Sequence, residues 1–197
     1  MPPPALVQLF RDLGGLRDAE TVQVLSIWKH TFVLQKNEHL SSADRRDHYI
    51  YFVLSGTLRI YCVDRTGAEV CLGFSYPDSL TGSYPSLITG KPAEIYVQAL
   101  SDGVLLGAVW EEFVTLAHQM PALERFRRIL AEETLLGRMQ REIEMLTLTP
   151  AQRYARFMQR SAHLTQLIPQ KHIASYLGMT PETLSRIRKS GGVNAER

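Results

Sequence analysis

The stretch Ile168-Pro-Gln-Lys-His-Ile-Ala-Ser-Tyr-Leu-Gly-Met-Thr-Pro-Glu-Thr-Leu-Ser-Arg-Ile-Arg-Lys189 reads as two short helices joined by a tight turn, the second bearing polar and basic groups. Pro169 suits the start of the first helix, where its missing N–H costs nothing, and Ile173, Ala174 and Leu177 then share one face at helical spacing. Gly178 follows as the turn residue, Thr180 as an N-cap, and Pro181 takes the favoured first position of the next helix. Leu184 and Ile187 face inward, which leaves Glu182, Ser185, Arg186 and Lys189 outside. This is the pattern of a helix-turn-helix, whose second helix carries its N-terminal side chains to base edges in the major groove. The candidate DNA contacts are Lys171, Thr180, Glu182, Thr183, Ser185, Arg186, Arg188 and Lys189.

The charge distribution argues the same way against an ordinary surface pair of helices. The whole chain carries a formal charge of only +2, but residues 146–197 hold eight Lys/Arg against two Glu, while residues 1–145 hold fourteen against eighteen acidic groups. A segregated positive module is what neutralising phosphates requires, whereas a merely solvated face mixes its signs.

At 197 residues and 45% hydrophobic, the chain is long enough for one medium domain and one small one. No run is long and apolar enough for a membrane span, and Met1-Pro-Pro-Pro-Ala-Leu-Val-Gln-Leu-Phe10 lacks the basic start and apolar core of a signal peptide, so a cytoplasmic protein is expected. Cys62 and Cys71 are too few for a disulfide framework or a four-thiolate iron–sulfur cluster.

Upstream, residues 4–29 read as helical, with Leu6, Leu9 and Phe10 on one side. From about Thr31 to Val109 the pattern changes to short alternating or apolar runs: Tyr49–Leu54, Thr57–Val63, Ala68–Phe74, Glu94–Leu100 and Val104–Val109. Ser55-Gly56 and Asp64-Arg-Thr-Gly67 supply turns, and such regular spacing predicts a small antiparallel barrel or roll. Beyond Pro121 the helical period returns for about 25 residues. Ile129, Leu136 and Ile143 recur every seven residues with Met139 and Leu146 offset by three, a narrow seam broken by Glu132. Such a seam suits either a core helix or a symmetric dimer helix, and a dimer lets two heads span two half-sites.

Roll, long helix and helix-turn-helix in that order resemble the Crp/Fnr family of bacterial transcription regulators, from the Tyr51-Phe-Val-Leu-Ser-Gly56 turn to Leu184-Ser-Arg186. The resemblance implies an α+β chain: an N-terminal cyclic-nucleotide-binding-like sensor roll (a double-stranded β-helix) over 1–120, a dimerisation helix over 121–146 and a helix-turn-helix domain over 147–197. It implies double-stranded DNA and a second copy of the chain as partners, with RNA polymerase as a further one. It also implies that Glu182, Ser185 and Arg186 match the Glu-x-x-Ser-Arg recognition helix that reads the half-site TTGA(T/C) in relatives of that form. Chemically, Glu182 suits cytosine N4 and Arg186 suits guanine or a phosphate.

Where relatives that bind cyclic AMP carry Gly-Glu and, about ten residues on, Arg-Ser-Ala, this sequence has Gly82-Ser83 and Ala93-Glu94-Ile95. The missing Arg removes a charge-assisted phosphate clamp and a nearby Glu repels an anion, so cyclic AMP is disfavoured. Gly82, Ser83, Tyr84, Ser86, Ala93, Glu94, Tyr96 and Gln98, with Arg138 from the long helix, are the candidate lining for another small effector; the plain alternative is that these polar groups satisfy one another. No resident cofactor is identified. A redox pair of Cys62 and Cys71, or haem on one of His30, His39, His48 and His118, has little behind it. An enzyme is the competing class, yet no His-x-His, Gly-x-Ser-x-Gly or phosphate loop occurs, so neither catalytic nor metal residues are expected. A third class is a ligand-binding or redox-responsive dimer with little specific DNA binding, against which stand Ser185, Arg186, Arg188 and Lys189. The few residues after Lys189 and between Arg160 and Pro169 predict a mostly helical head with a reduced or absent wing and a frayed tail, phosphate contacts falling to Arg153, Arg156, Lys171 and His172.

Overall fold

Tyr49-Ile-Tyr-Phe-Val-Leu-Ser55 has almost no polar residue on either side of its pleat, so it demands burial on both faces. The computed structural model, which describes residues 2–190, meets that demand by placing this strand inside a sheet. The chain opens with α1 (Pro4–Leu9), a π-helical turn (Phe10–Gly14) and α2 (Asp18–Leu25). The strands are β1 (Trp28–Leu34), β2 (His39–Ser41), β3 (Tyr49–Ser55), β4 (Leu58–Val63), β5 (Glu69–Ser75), β6 (Leu80–Thr81), β7 (Tyr96–Ala99) and β8 (Gly103–Val109), with α3 (Tyr84–Thr89) between β6 and β7. They form two four-stranded sheets, ordered β1-β8-β3-β6 and β2-β7-β4-β5. The two apolar sets of β3 then go to different cores: Tyr51 and Val53 join Leu34, Leu58, Val97, Ala99 and Leu105, while Ile50 and Phe52 join the helical layer.

That helical layer is aromatic. Phe10 lies 4.8 Å from Phe126 and 6.1 Å from Trp28, and Trp110 stacks on Phe113 at 5.8 Å between ring centroids. It is completed by α4 (Trp110–Gln119) and the start of the 27-residue α5 (Pro121–Thr147). The expected strands fall within about two residues of their observed ends, but helix does not continue to residue 29. It stops at Leu25, and β1 starts at Trp28 with an alternating burial pattern that puts the indole in the helical core. The Ser55-Gly56 turn is tight for a visible reason: Gly56 has φ +87°, and a Cβ there would lie 2.6 Å from the Asp102 carbonyl oxygen.

The remaining elements are α6 (Pro150–Ser161), α7 (Leu164–Leu167), α8 (Gln170–Tyr176) and α9 (Pro181–Lys189). From Leu148 to Ser190 the described residues are helix and turn only, and the expected tail falls at 191–197, outside the described residues. The chain divides into two compact units. One takes in the residues up to Ile60 together with Phe74–Thr134; the other joins the hairpin Tyr61–Gly73 to the residues from Leu135 onward.

Candidate nucleic-acid interface and effector pocket

The helix-turn-helix is built on Gly178. With φ +63° it ends α8 in the left-handed region, and the Met179 N–H reaches the Ala174 carbonyl at 3.0 Å while the Gly178 N–H reaches the Ser175 carbonyl at 3.0 Å. This paired closure satisfies the orphan carbonyls of α8 and turns the chain at once. Two residues on, Thr180 caps α9 by accepting the Thr183 N–H, and Pro181 follows at the first helical position. Ile173, Ala174, Leu177 and Leu184 are buried together with Phe157, Leu164 and Ile168, so the apolar face drives this packing.

The polar side of α9 stays open. Glu182, Arg186, Arg188 and Lys189 are exposed, Thr183 and Ser185 are half-buried, and Lys171 is exposed at the start of α8. Arg186 donates to the Thr183 hydroxyl at 3.3 Å, which leans it toward the helix start. Hydrogen bonds from its own backbone amide and from Thr180, with the charge of Arg186 behind them, hold the Glu182 carboxyl below the ordinary range, so it is an acceptor at neutral pH.

Two of the expected phosphate contacts are otherwise occupied. Arg153 donates to the Leu148 carbonyl at 2.9 Å and to those of Met145 and Gly178 at 3.3 Å, closing the end of α5 onto the turn. His172 is 8% exposed and belongs to the core of the head. Arg156 and Lys171 remain exposed.

On α5 the expected seam is bare. Leu136, Met139, Ile143 and Leu146 are 65, 50, 52 and 79% exposed, and Leu135 beside them is 60% exposed. Ile129, at the other end of the heptad series, is half-buried and lies in the first unit. Four large apolar groups at intervals of three and four along one helix form a stripe that water does not favour.

The candidate effector lining is mostly committed to the protein itself. The Ser83 N–H donates to Asp47 Oδ2 at 3.0 Å and the Ser41 hydroxyl donates to the same oxygen at 2.7 Å. Ser86, fully buried, accepts the Asp47 N–H and donates to the Lys91 carbonyl. Gln98 accepts from Arg59 Nε at 2.8 Å and donates to the Asn37 carbonyl. Tyr84 packs edge-on against Trp110, Tyr96 lies beside His39, Ala93 is buried, Gly82 is half-buried, and Glu94 is exposed. Arg138 belongs to the second unit, where it donates to the Leu72 carbonyl at 2.8 Å.

Asp47 is the residue that sequence reasoning missed. It sits in Ser42-Ala-Asp-Arg-Arg-Asp-His48, a charged run that reads as a solvated loop, and nothing in that run marks one carboxylate as buried. Burial pushes it up, against the hydrogen bonds from Ser41 and the Ser83 amide and the nearby His48.

Residues 31–119 match the cyclic nucleotide-binding domain family. The chain is 28% identical to an anaerobic regulatory protein of Haemophilus influenzae over 185 residues, covering 87% of this chain and 70% of that one. It is 26% identical to the regulatory protein HlyX of Actinobacillus pleuropneumoniae, covering 92 and 81% of the two chains. Among solved structures, FixK2 from Bradyrhizobium japonicum superposes with a TM-score of 0.71 at 19% identity over 82% of this chain and 85% of that one. The Thermus thermophilus catabolite activator protein does so with a TM-score of 0.59 at 20% identity, over 93 and 88%. The chain is similar along most of its length to regulators of the Crp/Fnr type.

The curated relatives named here are regulatory proteins. No described helix of this chain is long and apolar enough to cross a membrane. The cyclic-nucleotide-binding roll plus helix-turn-helix fold of these solved structures matches the two antiparallel sheets, the long helix and the C-terminal helices seen here.

Proposed function

We propose that this regulator is a cytoplasmic homodimer that reads a palindromic DNA site through α9 and whose roll takes no cyclic AMP. The single observation behind the first part is α9 itself: a capped helix, buried on Leu184, offering Glu182, Ser185, Arg186, Arg188 and Lys189 from its open side. The bare Leu136–Met139–Ile143–Leu146 stripe supports self-association, because a second copy of the same stripe is its natural complement under two-fold symmetry. Against cyclic AMP stand Ala93 in place of a phosphate-clamping Arg and the buried Asp47 carboxylate, which already holds the Ser83 amide and repels an anion. The effector, and any contact with RNA polymerase that turns binding into activation, are open to the same approach.

In vitro selection from random duplex DNA at a stated salt concentration, with and without cyclic AMP, tests this reading. A palindrome with half-sites about one helical turn apart, unchanged by the nucleotide, is expected. Binding that is blind to sequence under both conditions would overturn the DNA reading; a palindrome that appears only with cyclic AMP would overturn the second part.

A further inference from the structure

β5 is the last strand of its sheet, so one edge of it has no strand partner among the described residues. Unpaired strand edges are normally covered, and here side chains do the covering. Ser175 of α8 accepts the Cys71 N–H at 3.0 Å and donates to the Glu69 carbonyl at 3.3 Å, imitating the donor and acceptor of a neighbouring strand. Arg141 of α5 donates to the Cys71 carbonyl at 3.3 Å and to the Tyr176 carbonyl at 2.9 Å, with its guanidinium carbon 4.7 Å from the centre of the Tyr176 ring. Arg138 adds the bond to Leu72. Hairpin, long helix and the first helix of the head are thus clasped at one place, inside one unit of the chain.

The clasp has a fixed relation to the apolar stripe. At about 100° per residue, Leu136, Met139, Ile143 and Leu146 lie on one side of α5, and Arg138, Arg141, Glu144 and Met145 lie on the opposite side. The burial pattern agrees: the first four are exposed, whereas Arg141, Glu144 and Met145 are covered. A helix that pairs through one face and grips the head through the other transmits the dimer axis to α9 as a rigid lever.

From this geometry we infer that Ser175 and Arg141 are positioning residues for DNA recognition: they clasp the head to the dimer helix and so give the two α9 helices one spacing. The inference rests on the proposal that the protein is a dimeric DNA reader. Neither side chain is on the exposed side of α9, and neither acts by touching a base. With the clasp open, each head still binds its own half-site, but the second contact of the dimer no longer comes at the high effective concentration that a fixed geometry supplies.

The test uses the full chain, with Ser175→Ala, Arg141→Gln and the conservative Ser175→Thr. Hydrogen exchange is read without DNA. Ser175→Ala removes the hydrogen bond that the Cys71 amide donates at 3.0 Å, and its exchange is expected to quicken about tenfold, with Ser175→Thr restoring protection. DNA affinity is then measured on the selected palindrome and on a duplex carrying one half-site. Both opening variants should lose about tenfold or more on the palindrome, little on the half-site, and Ser175→Thr should recover it. Quickened exchange with equal losses on both duplexes would make the contact merely structural and overturn the inference. Quickened exchange with tighter palindrome binding would show the clasp to be inhibitory and overturn it too. Unchanged exchange would mean that the clasp does not exist in solution. If the wild-type chain itself fails to prefer the palindrome, the DNA reading falls on its own, separately from the exchange result.

Discussion

Glu144 is held within the head-bearing unit by Arg160, at 2.7 and 2.9 Å through two parallel bonds, with Gln140 adding a third at 3.2 Å. Replacing Arg160 by Ala strands a carboxylate whose side chain is only 8% exposed. Breaking a fully buried pair in this way costs about 3–5 kcal/mol, but the Arg160 side chain is 46% exposed and Gln140 remains, so about 2 kcal/mol is the expected loss. The pH dependence follows from the charge. In the wild-type chain burial acts to raise the Glu144 carboxyl, yet the hydrogen bonds from Arg160 and Gln140, with the charges of Arg160 and Arg156, outweigh it and hold the group below its ordinary value. A depressed folded-state pKa contributes stability that is complete above the unfolded value, about 4.3, and is lost as pH falls through the folded value. Without Arg160 the burial is unopposed and the sign reverses, so the difference between the two proteins is largest at neutral pH and shrinks toward zero once both carboxyls are protonated. Trp28 and Trp110 lie in the other unit, so tryptophan fluorescence does not report on this one. Amide exchange along α6, corrected for its intrinsic pH dependence, does: about 30-fold faster in the variant at pH about 7, and nearly equal to wild type at pH about 3. A change below about twofold at neutral pH, or the same change at both pH values, would refute the reasoning.

Three further outcomes are expected. The double change Met139→Lys and Ile143→Lys puts like charges into the bare stripe and should give a monomer by sedimentation velocity with its melting unchanged; a persistent dimer would place the interface elsewhere. Gly178→Ala forces a Cβ into the left-handed region and against Met145, and should destabilise the head by about 1–2 kcal/mol by amide exchange along α8 and α9, against no change if the turn relaxes freely. Burial holds Asp47 above its unfolded value, so its charge costs stability that is lost as pH rises from the unfolded toward the folded pKa. Asp47→Asn, which keeps an acceptor for Ser41 and Ser83, should flatten that dependence in melts followed by Trp28 and Trp110 fluorescence, and an unaltered pH profile would count against it.

Which parts of this protein were legible in its sequence depends on whether the cause is local. Gly178, Thr180 and Pro181 announce a turn and a helix start by their own backbone preferences, and Tyr49–Leu54 announces a strand by its short apolar run; both readings match the structure. Trp28 shows the limit from the other side. Its neighbours continue a helical pattern, but an indole in the aromatic core decides that the segment is a strand, and that core is assembled from residues as distant as Phe113 and Phe126. Arg153 and Asp47 fail in the same way. Each looks like a solvated charge in its own neighbourhood, and each is bonded to groups that only the fold brings near: three carbonyls for Arg153, and Ser41 with the Ser83 amide for Asp47. For the candidate effector lining the sequence offered polar residues but not their commitments, since the hydrogen bonds of Ser86 with Lys91 and of Gln98 with Arg59 leave no trace in spacing.

The long helix joins both kinds of reading. Its apolar stripe is periodic and therefore visible as a heptad series, whereas Arg138, Arg141 and Glu144 look like the charged flank that any exposed helix carries. Their partners are Leu72 and Cys71, far back along the chain, and Tyr176 and Arg160 ahead of it. A polar flank whose donors end on carbonyls of other elements does not loosen freely, because every bond given up leaves an acceptor half-satisfied next to an apolar surface. The flank therefore fixes the rotation of α5 against the head, and the stripe fixes its rotation against whatever covers it. Under the proposed function, an effector would act on DNA binding by favouring one setting of that helix over another, and the strength of the effect would be limited by the difference in how tightly each setting holds it.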